Sequence, residues 1–160
     1  GASNVIRVAG WKWGAFAMSL DILKGFFPTI LSSIFVNQYI DDQNARIVTF
    51  LVGIAAIAGH VFPLMRKGGK GVATGGGVAI ALFPIQGVVA IIVWVIFMKI
   101  TKMPVVASMS AIGVLTIVVF FRHQYMWEFI LILALYILIA IRHSPNIVRM
   151  FKKTENRVKH

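Results

Sequence analysis

The sequence predicts an all-α fold: a polytopic bundle of helices lying in a membrane. Three observations carry this. Of 160 residues, 59% are apolar and only 13% charged, against about 25% charged in a soluble domain. Apolar runs near the length needed to cross a hydrocarbon core of about 30 Å recur along the whole chain. No polar stretch is long enough to form a separate soluble domain; the longest is the tail from Arg142 to His160.

The first predicted helix runs from Trp13 to Val36. It is apolar except for Asp21 and Lys24, and Pro28 should kink it. A polar loop, Asn37 to Asn44, leads to a second helix from Ile47 to Met65. The basic loop Arg66-Lys67-Gly68-Gly69-Lys70-Gly71 follows. Pro84 divides the next apolar stretch into a short helix, Val72 to Phe83, and a longer one, Ile85 to Met98. The short helix reaches only roughly 18 Å at 1.5 Å per residue, so it is expected to be half-buried or re-entrant and to line a polar cavity. Helices from Val105 to Phe121 and from Trp127 to Ile141 complete six segments, and Asn146 after Pro145 reads as the start of another helix.

Charge orients these segments. The formal net charge is +11. Placing the N-terminal stretch, the Lys67 loop, the Lys99–Lys102 turn and the tail on one face collects thirteen of the sixteen basic residues there. Only Arg46 and Arg122 fall on the other face, and Lys24 lies within the membrane. The positive-inside rule makes the basic face cytoplasmic. In this setting the excess positive charge points to anionic headgroups and substrates, not to nucleic acid. With no cysteine, disulfides, thiolate nucleophiles and thiolate metal sites are excluded. No His and carboxylate pair on the basic side has metal-ligand spacing, so no metal is expected.

The residues that could carry chemistry sit on that face. Lys67-Gly68-Gly69-Lys70-Gly71 opens a helix. Its glycines let backbone N–H groups approach a ligand, the helix adds its positive end, and two lysines add full charges. That composes a phosphate cradle, although it is not a Walker A loop, because Gly71 stands where Ser or Thr would follow the lysine. The alternative is a flexible basic turn. Asp21 and Lys24, three apart on one helical face, read as an ion pair that fixes packing. His60 reads as a hydrogen-bonded packing residue, and Ser108 as a small polar residue at a helix contact. His143 and Asn146, three apart past the last span, fit either a donor cluster or a solvated tail. His123 and Glu128 have the spacing of a His-x4-Asp acyltransferase pair, but the acid is Glu and the pair maps to the external face.

Three segments in order resemble the bacterial acyl-phosphate:glycerol-3-phosphate acyltransferases, the PlsY family. Gly1-Ala2-Ser3-Asn4-Val5-Ile6-Arg7, with Asp21-Ile22-Leu23-Lys24-Gly25, is similar to the family's G-A-T-N-V-x-R and D-x-x-K-G. Gly59-His60-Val61-Phe62-Pro63, with Lys67-Gly68-Gly69-Lys70-Gly71-Val72-Ala73-Thr74, is similar to G-H-x-F-P and K-G-G-K-G-V-A-T. Arg142-His143-Ser144-Pro145-Asn146-Ile147-Val148-Arg149, with Thr154-Glu155, is similar to R-H-x-x-N-I-x-R and T-E. Ser108 matches a serine before the third motif. Ser3 stands in place of Thr, and Lys153 in place of Gly.

The resemblance implies transfer of an acyl chain from acyl phosphate to the sn-1 hydroxyl of glycerol 3-phosphate, giving lysophosphatidic acid and phosphate. It implies no cofactor, substrate-assisted proton transfer, and as partners only the two substrates and membrane lipids, with no obligate protein. His143, Asn146 and Lys70 would be catalytic. Ser3, Asn4, Arg7, Lys67, Gly68, Gly69, Gly71 and Ser108 would bind phosphate, with Asp21, Lys24 and His60 in support. Arg7, Lys70, Ser108, His143 and Asn146 would converge on one pocket facing the cytoplasm at the bacterial inner membrane. The family carries a further span and a Ser-Gly-Asn stretch ahead of the position of Gly1, seven spans in all. Residues 1–160 are therefore expected to form one integral-membrane acyltransferase domain lacking its N-terminal part. An inactive relic of that enzyme and a small anion-binding transporter are the competing readings.

The charge count makes the topology testable by single-cysteine labelling, which has no native thiol to confuse it. Cysteines in the Asp41–Asp42 loop or at position 123 should label from outside intact cells, and those at positions 67 and 99 or in the tail should not. External labelling at position 99 would overturn the arrangement.

Overall fold

The structure, a computed structural model, describes residues 1–64, 68–122 and 124–155, without the side chains of Ser3 and Arg7. Six helices follow in order: α1 (Ala2–Val36), α2 (Asp42–Val61), α3 (Val72–Leu82), α4 (Pro84–Thr101), α5 (Pro104–Arg122) and α6 (Met126–Phe151). Five segments, Val8–Val36, α2, α4, α5 and α6, are long and apolar enough to cross a membrane. The sixth, α3, has 11 residues and spans roughly 16 Å, half the hydrocarbon thickness. The short third segment expected from Pro84 is therefore present, and α3 ends one residue before the expected Phe83.

The chain divides into two compact units, Gly1–Gly87 and Val88–His160. In the first, α3 packs against α1 and α2 around Phe50, Ile57, Val61, Val78 and Ala79. Phe50 and Phe83 meet edge to face, and Arg46 lies 5.8 and 5.5 Å above the two rings. The opposite side of α1 exposes Trp13, Phe16, Leu20, Phe27 and Leu31, the apolar face a lipid chain solvates.

Glycines set the spacing of α1 and α3. A methyl group on Gly25 would lie 2.2 Å from the Thr74 carbonyl oxygen, and one on Gly77 would lie 2.0 Å from that of Ile22. Lipid supplies no hydrophobic drive for helices to associate, so close backbone approach through small residues is what holds such a pair. Gly53 of α2 meets α3 through a side chain instead, where an added methyl would lie 2.6 Å from Val78 Cγ1.

Three local expectations are corrected. The first helix begins at Ala2, not Trp13, and its break falls at Gly10. Gly10 has φ 83° and ψ 176°, a region open essentially to glycine alone. Beyond it residues 2–9 fold back, so that a methyl on Gly14 would sit 2.0 Å from Ile6 Cγ1. At Pro28, by contrast, the dihedrals remain helical, and the Thr29 hydroxyl donates to the Gly25 carbonyl at 2.7 Å. Finally, no new helix starts at Asn146: α6 continues through Pro145 to Phe151. A proline forfeits one backbone bond, and the bonds from Asn146 and Arg149 to the buried Glu155 hold the continued helix.

In the second unit α5 and α6 pack together through Val105, Ala107, Ala111, Leu115, Val119, Ile132 and Ile139. At the start of α6 the buried Glu128 accepts the Gln124 N–H at 3.1 Å. This ties the chain ahead of α6 to the helix's first turn, while His123 lies outside the described residues.

The α1–α3 contact yields a paired test on adjacent residues. Gly77→Ala must displace backbone and should destabilise the protein by about 1–3 kcal/mol. At Gly76 an added methyl meets nothing within 4 Å, so Gly76→Ala should be neutral or stabilising by up to about 1 kcal/mol through helix propensity. Unfolding in detergent reads both, and equal effects would contradict the packing described.

Candidate active site

The glycine-rich loop is built onto the end of α2. A methyl on Gly68 would lie 2.0 Å from the Val61 carbonyl oxygen, and one on Gly69 would lie 2.0 Å from His60 Nε2. Gly69 also donates its N–H to the His60 carbonyl at 3.1 Å. Gly71 caps α3 with φ 84°, a left-handed conformation that glycine adopts without penalty. The chain thus enters α3 with the helix's first N–H groups at the loop, where the helix dipole favours an anion. Lys70 is half-buried in this loop; Lys67 lies outside the described residues.

The fold-back at Gly10 brings the first motif to the second. A methyl on Gly1 would lie 3.7 Å from Gly69 Cα. Asn4 is exposed on the same short helical piece, and the side chains of Ser3 and Arg7 lie outside the described set.

Behind the loop stands a cluster of charge. Lys24 Nζ is bonded to Asp21 Oδ1 and donates to His60 Nδ1 at 2.6 Å. Asp21 Oδ1 is 3.5 Å from the same ring nitrogen. The ion pair read from sequence is present, and it extends to His60.

In the second unit, Ser108 and His143 are both buried. Ser108 lies fourteen residues before the end of α5, and His143 seventeen after the start of α6. These are roughly 21 and 26 Å along antiparallel neighbours, so both sit at the same end of the pair. The Ser108 hydroxyl donates to the Pro104 carbonyl at 2.7 Å and accepts from Trp94 Nε1 at 3.3 Å. His143 Nδ1 is 2.8 Å from the Ile139 carbonyl. A carbonyl only accepts, so Nδ1 carries a proton, and in the neutral form of this ring the basic nitrogen is Nε2.

Asn146 shares that helical face with His143, and its amide donates to Glu155 Oε1 at 2.7 Å. Arg149 Nε donates to Glu155 Oε2 at 2.8 Å. The Glu155 side chain is 2% exposed, so this carboxylate is a buried clamp that folds the chain after α6 back onto the helix. The turn runs through Lys153 at φ 56°, which explains why glycine suits that position in the family pattern. The asparagine is therefore held in place, not part of a solvated tail.

Two participants were not assigned a role from sequence. Glu155 had a signal: it is one of only five acidic residues, set in a basic tail. Trp94 also had one, because an indole N–H in an apolar helix needs an acceptor.

Comparison with known proteins gives the family of the chain. A family model described as glycerol-3-phosphate acyltransferase matches residues 1–153. The glycerol-3-phosphate acyltransferase of Bacillus subtilis (strain 168) is 36% identical over 99% of this chain and 79% of its own. That of Fusobacterium nucleatum subsp. nucleatum is 35% identical over the same shares, 99% and 79%. The crystal structure of PlsY (YgiH), an integral membrane glycerol 3-phosphate acyltransferase in its glycerol 3-phosphate form, superposes with a TM-score of 0.86. It is 31% identical, covering 99% of this chain and 78% of that one. This multi-pass α-helical membrane protein belongs to the glycerol-3-phosphate acyltransferase family.

Proposed function

We propose that the protein transfers an acyl chain from acyl phosphate to the sn-1 hydroxyl of glycerol 3-phosphate, at the cytoplasmic face of a bacterial inner membrane. The hydroxyl oxygen forms an ester bond to the acyl carbon and the bond from that carbon to phosphate oxygen breaks. Inorganic phosphate leaves and lysophosphatidic acid remains. The observation that supports this most is the TM-score of 0.84 to PlsY in its lysophosphatidic acid form, beside that of 0.86 to the glycerol 3-phosphate form. Those two ligands are the acceptor and the product of this reaction.

The chemistry asks for little more than charge and position. Acyl phosphate is a mixed anhydride with a good leaving group, so no covalent enzyme intermediate is needed. What opposes the reaction is bringing two phosphorylated molecules together where the dielectric is low. In this reading Lys70 and the N–H groups of Gly68, Gly71 and the start of α3 receive a phosphate, with Gly69 held to His60 between them, and Lys67, Arg7, Ser3 and Asn4 add charge and donors around it. His143 offers Nε2 to the acceptor hydroxyl. Asn146, held by Glu155, donates its second amide hydrogen to a substrate oxygen, the Ser108 hydroxyl turns its one hydrogen from the Pro104 carbonyl to a phosphate oxygen, and the departing phosphate takes the proton.

Reconstituted protein should acylate glycerol 3-phosphate from acyl phosphate and not from acyl-CoA or acyl carrier protein. Lys70→Ala should cut the rate by about 10²–10³ with insertion and folding intact, and Lys12→Ala should leave it unchanged. No transfer from acyl phosphate by the unsubstituted protein, or full activity of Lys70→Ala, would refute the reading.

A further inference from the structure

Asp21, Lys24 and His60 are bound to one another but none is assigned a part in the transfer itself. Their geometry defines a direction. Lys24 is an ammonium and can only donate, so the 2.6 Å contact to His60 Nδ1 makes that nitrogen an acceptor. The proton of the neutral ring is then on Nε2. This is the nitrogen that faces Gly69: a methyl there would lie 2.0 Å from Nε2, 2.6 Å from Cε1 and 3.0 Å from Cδ2. The edge of the ring therefore lies against the Gly69 Cα, while the His60 carbonyl takes the Gly69 N–H at 3.1 Å. One residue grips the loop twice, from its backbone and from its ring. The His60 side chain is only 9% exposed, so little else competes for its orientation.

Asp21 completes the set. Its carboxylate neutralises Lys24, which would otherwise be costly in the middle of an apolar span. It also stands 3.5 Å from His60 Nδ1, ready to become that nitrogen's partner if the lysine were removed. Lys24 thus decides which ring nitrogen is protonated.

We propose that Asp21, Lys24 and His60 are a positioning relay: Lys24 fixes His60 as its Nε2–H tautomer, and the ring holds Gly69, and with it the loop before α3, in the shape that receives glycerol 3-phosphate. The binding part of this inference rests on the acyltransferase reading above; the tautomer part does not.

The test has two arms on the full chain in lipid bilayers. Nitrogen NMR of ¹⁵N-histidine-labelled protein, with His60→Asn for assignment, should find His60 protonated at Nε2 and bare at Nδ1. In Lys24→Met, where Asp21 is left to accept, the proton should move to Nδ1. In the kinetic arm, Lys24→Met and Gly69→Ala should each raise KM for glycerol 3-phosphate about tenfold or more while kcat changes by less than about threefold. Lys24→Arg, which still donates, should restore KM to within about threefold. Gly69→Ala should do less further harm in a His60→Ala background, because the ring it collides with is gone.

A His60 protonated at Nδ1 in the unsubstituted protein would overturn the proposal, as would an unchanged tautomer in Lys24→Met. Losses in kcat without a change in KM, or additive effects of Gly69→Ala and His60→Ala, would also overturn it. If Lys24→Met does not fold, Gly69→Ala reads the same contact from the loop side. Absence of acyl transfer by the unsubstituted protein would refute the functional reading alone, and the spectra would still decide the relay.

Discussion

The first unit depends on the closeness of α1 and α3. At Gly25 and Gly77 the two backbones approach so nearly that a single added carbon would collide with a carbonyl oxygen at 2.2 and 2.0 Å. Side chains can swing away from such a clash and backbone cannot, so the contact fixes the two helices in register. That register sets where α3 begins. Because α3 is only 11 residues long, its N-terminal end and the glycine loop before it lie beside Asp21 and Lys24 of α1 and the last turn of α2. A helix start with its N–H groups and dipole, a glycine loop and an ammonium are thereby gathered in one place.

The five acidic residues all serve structure, which leaves the positive charge of the chain for anions. Asp21 pairs with Lys24. Asp41 caps α2, accepting the Asn44 N–H at 3.0 Å and its side-chain amide at 2.6 Å, and Asp42 stands in the first turn of the same helix. Glu128 ties Gln124 to the first turn of α6, and Glu155 clamps its end. The Asn44 backbone N–H, first among the causes, holds the Asp41 carboxyl below the usual value. A depressed carboxyl stabilises the fold above its ordinary pKa, and that contribution fades as pH falls through the lowered one. The cap is intact at neutral pH.

Much of this was legible in the chain. Apolar run lengths located the helices, Pro84 marked the short one, and the glycines of the loop announced the tight entry into α3. What escaped was conformational. Gly10 lies ahead of the helix read from Trp13, and nothing in the sequence says that it takes the mirror-image dihedral between two helical pieces while Pro28 stays helical. Pro145 and Asn146 have the local look of a helix start. What holds the continued helix there is Glu155, which takes Asn146 and Arg149 from one side of it and lies beyond the dipeptide in the chain. Lys24 and His60 are 36 residues apart, and spacing alone could pair the lysine with Asp21 but not with the histidine.

The central claim is that helix packing through glycine places a phosphate receptor at the start of α3. The most direct measurement is the dipolar coupling between the phosphorus of bound glycerol 3-phosphate and ¹⁵N-labelled backbone amides in lipid bilayers. The account requires strong coupling to the Gly71 and Val72 nitrogens, at the separation of a phosphate oxygen accepting those N–H groups. Phosphorus that couples only to nitrogens outside the loop, with the ligand bound, would contradict it.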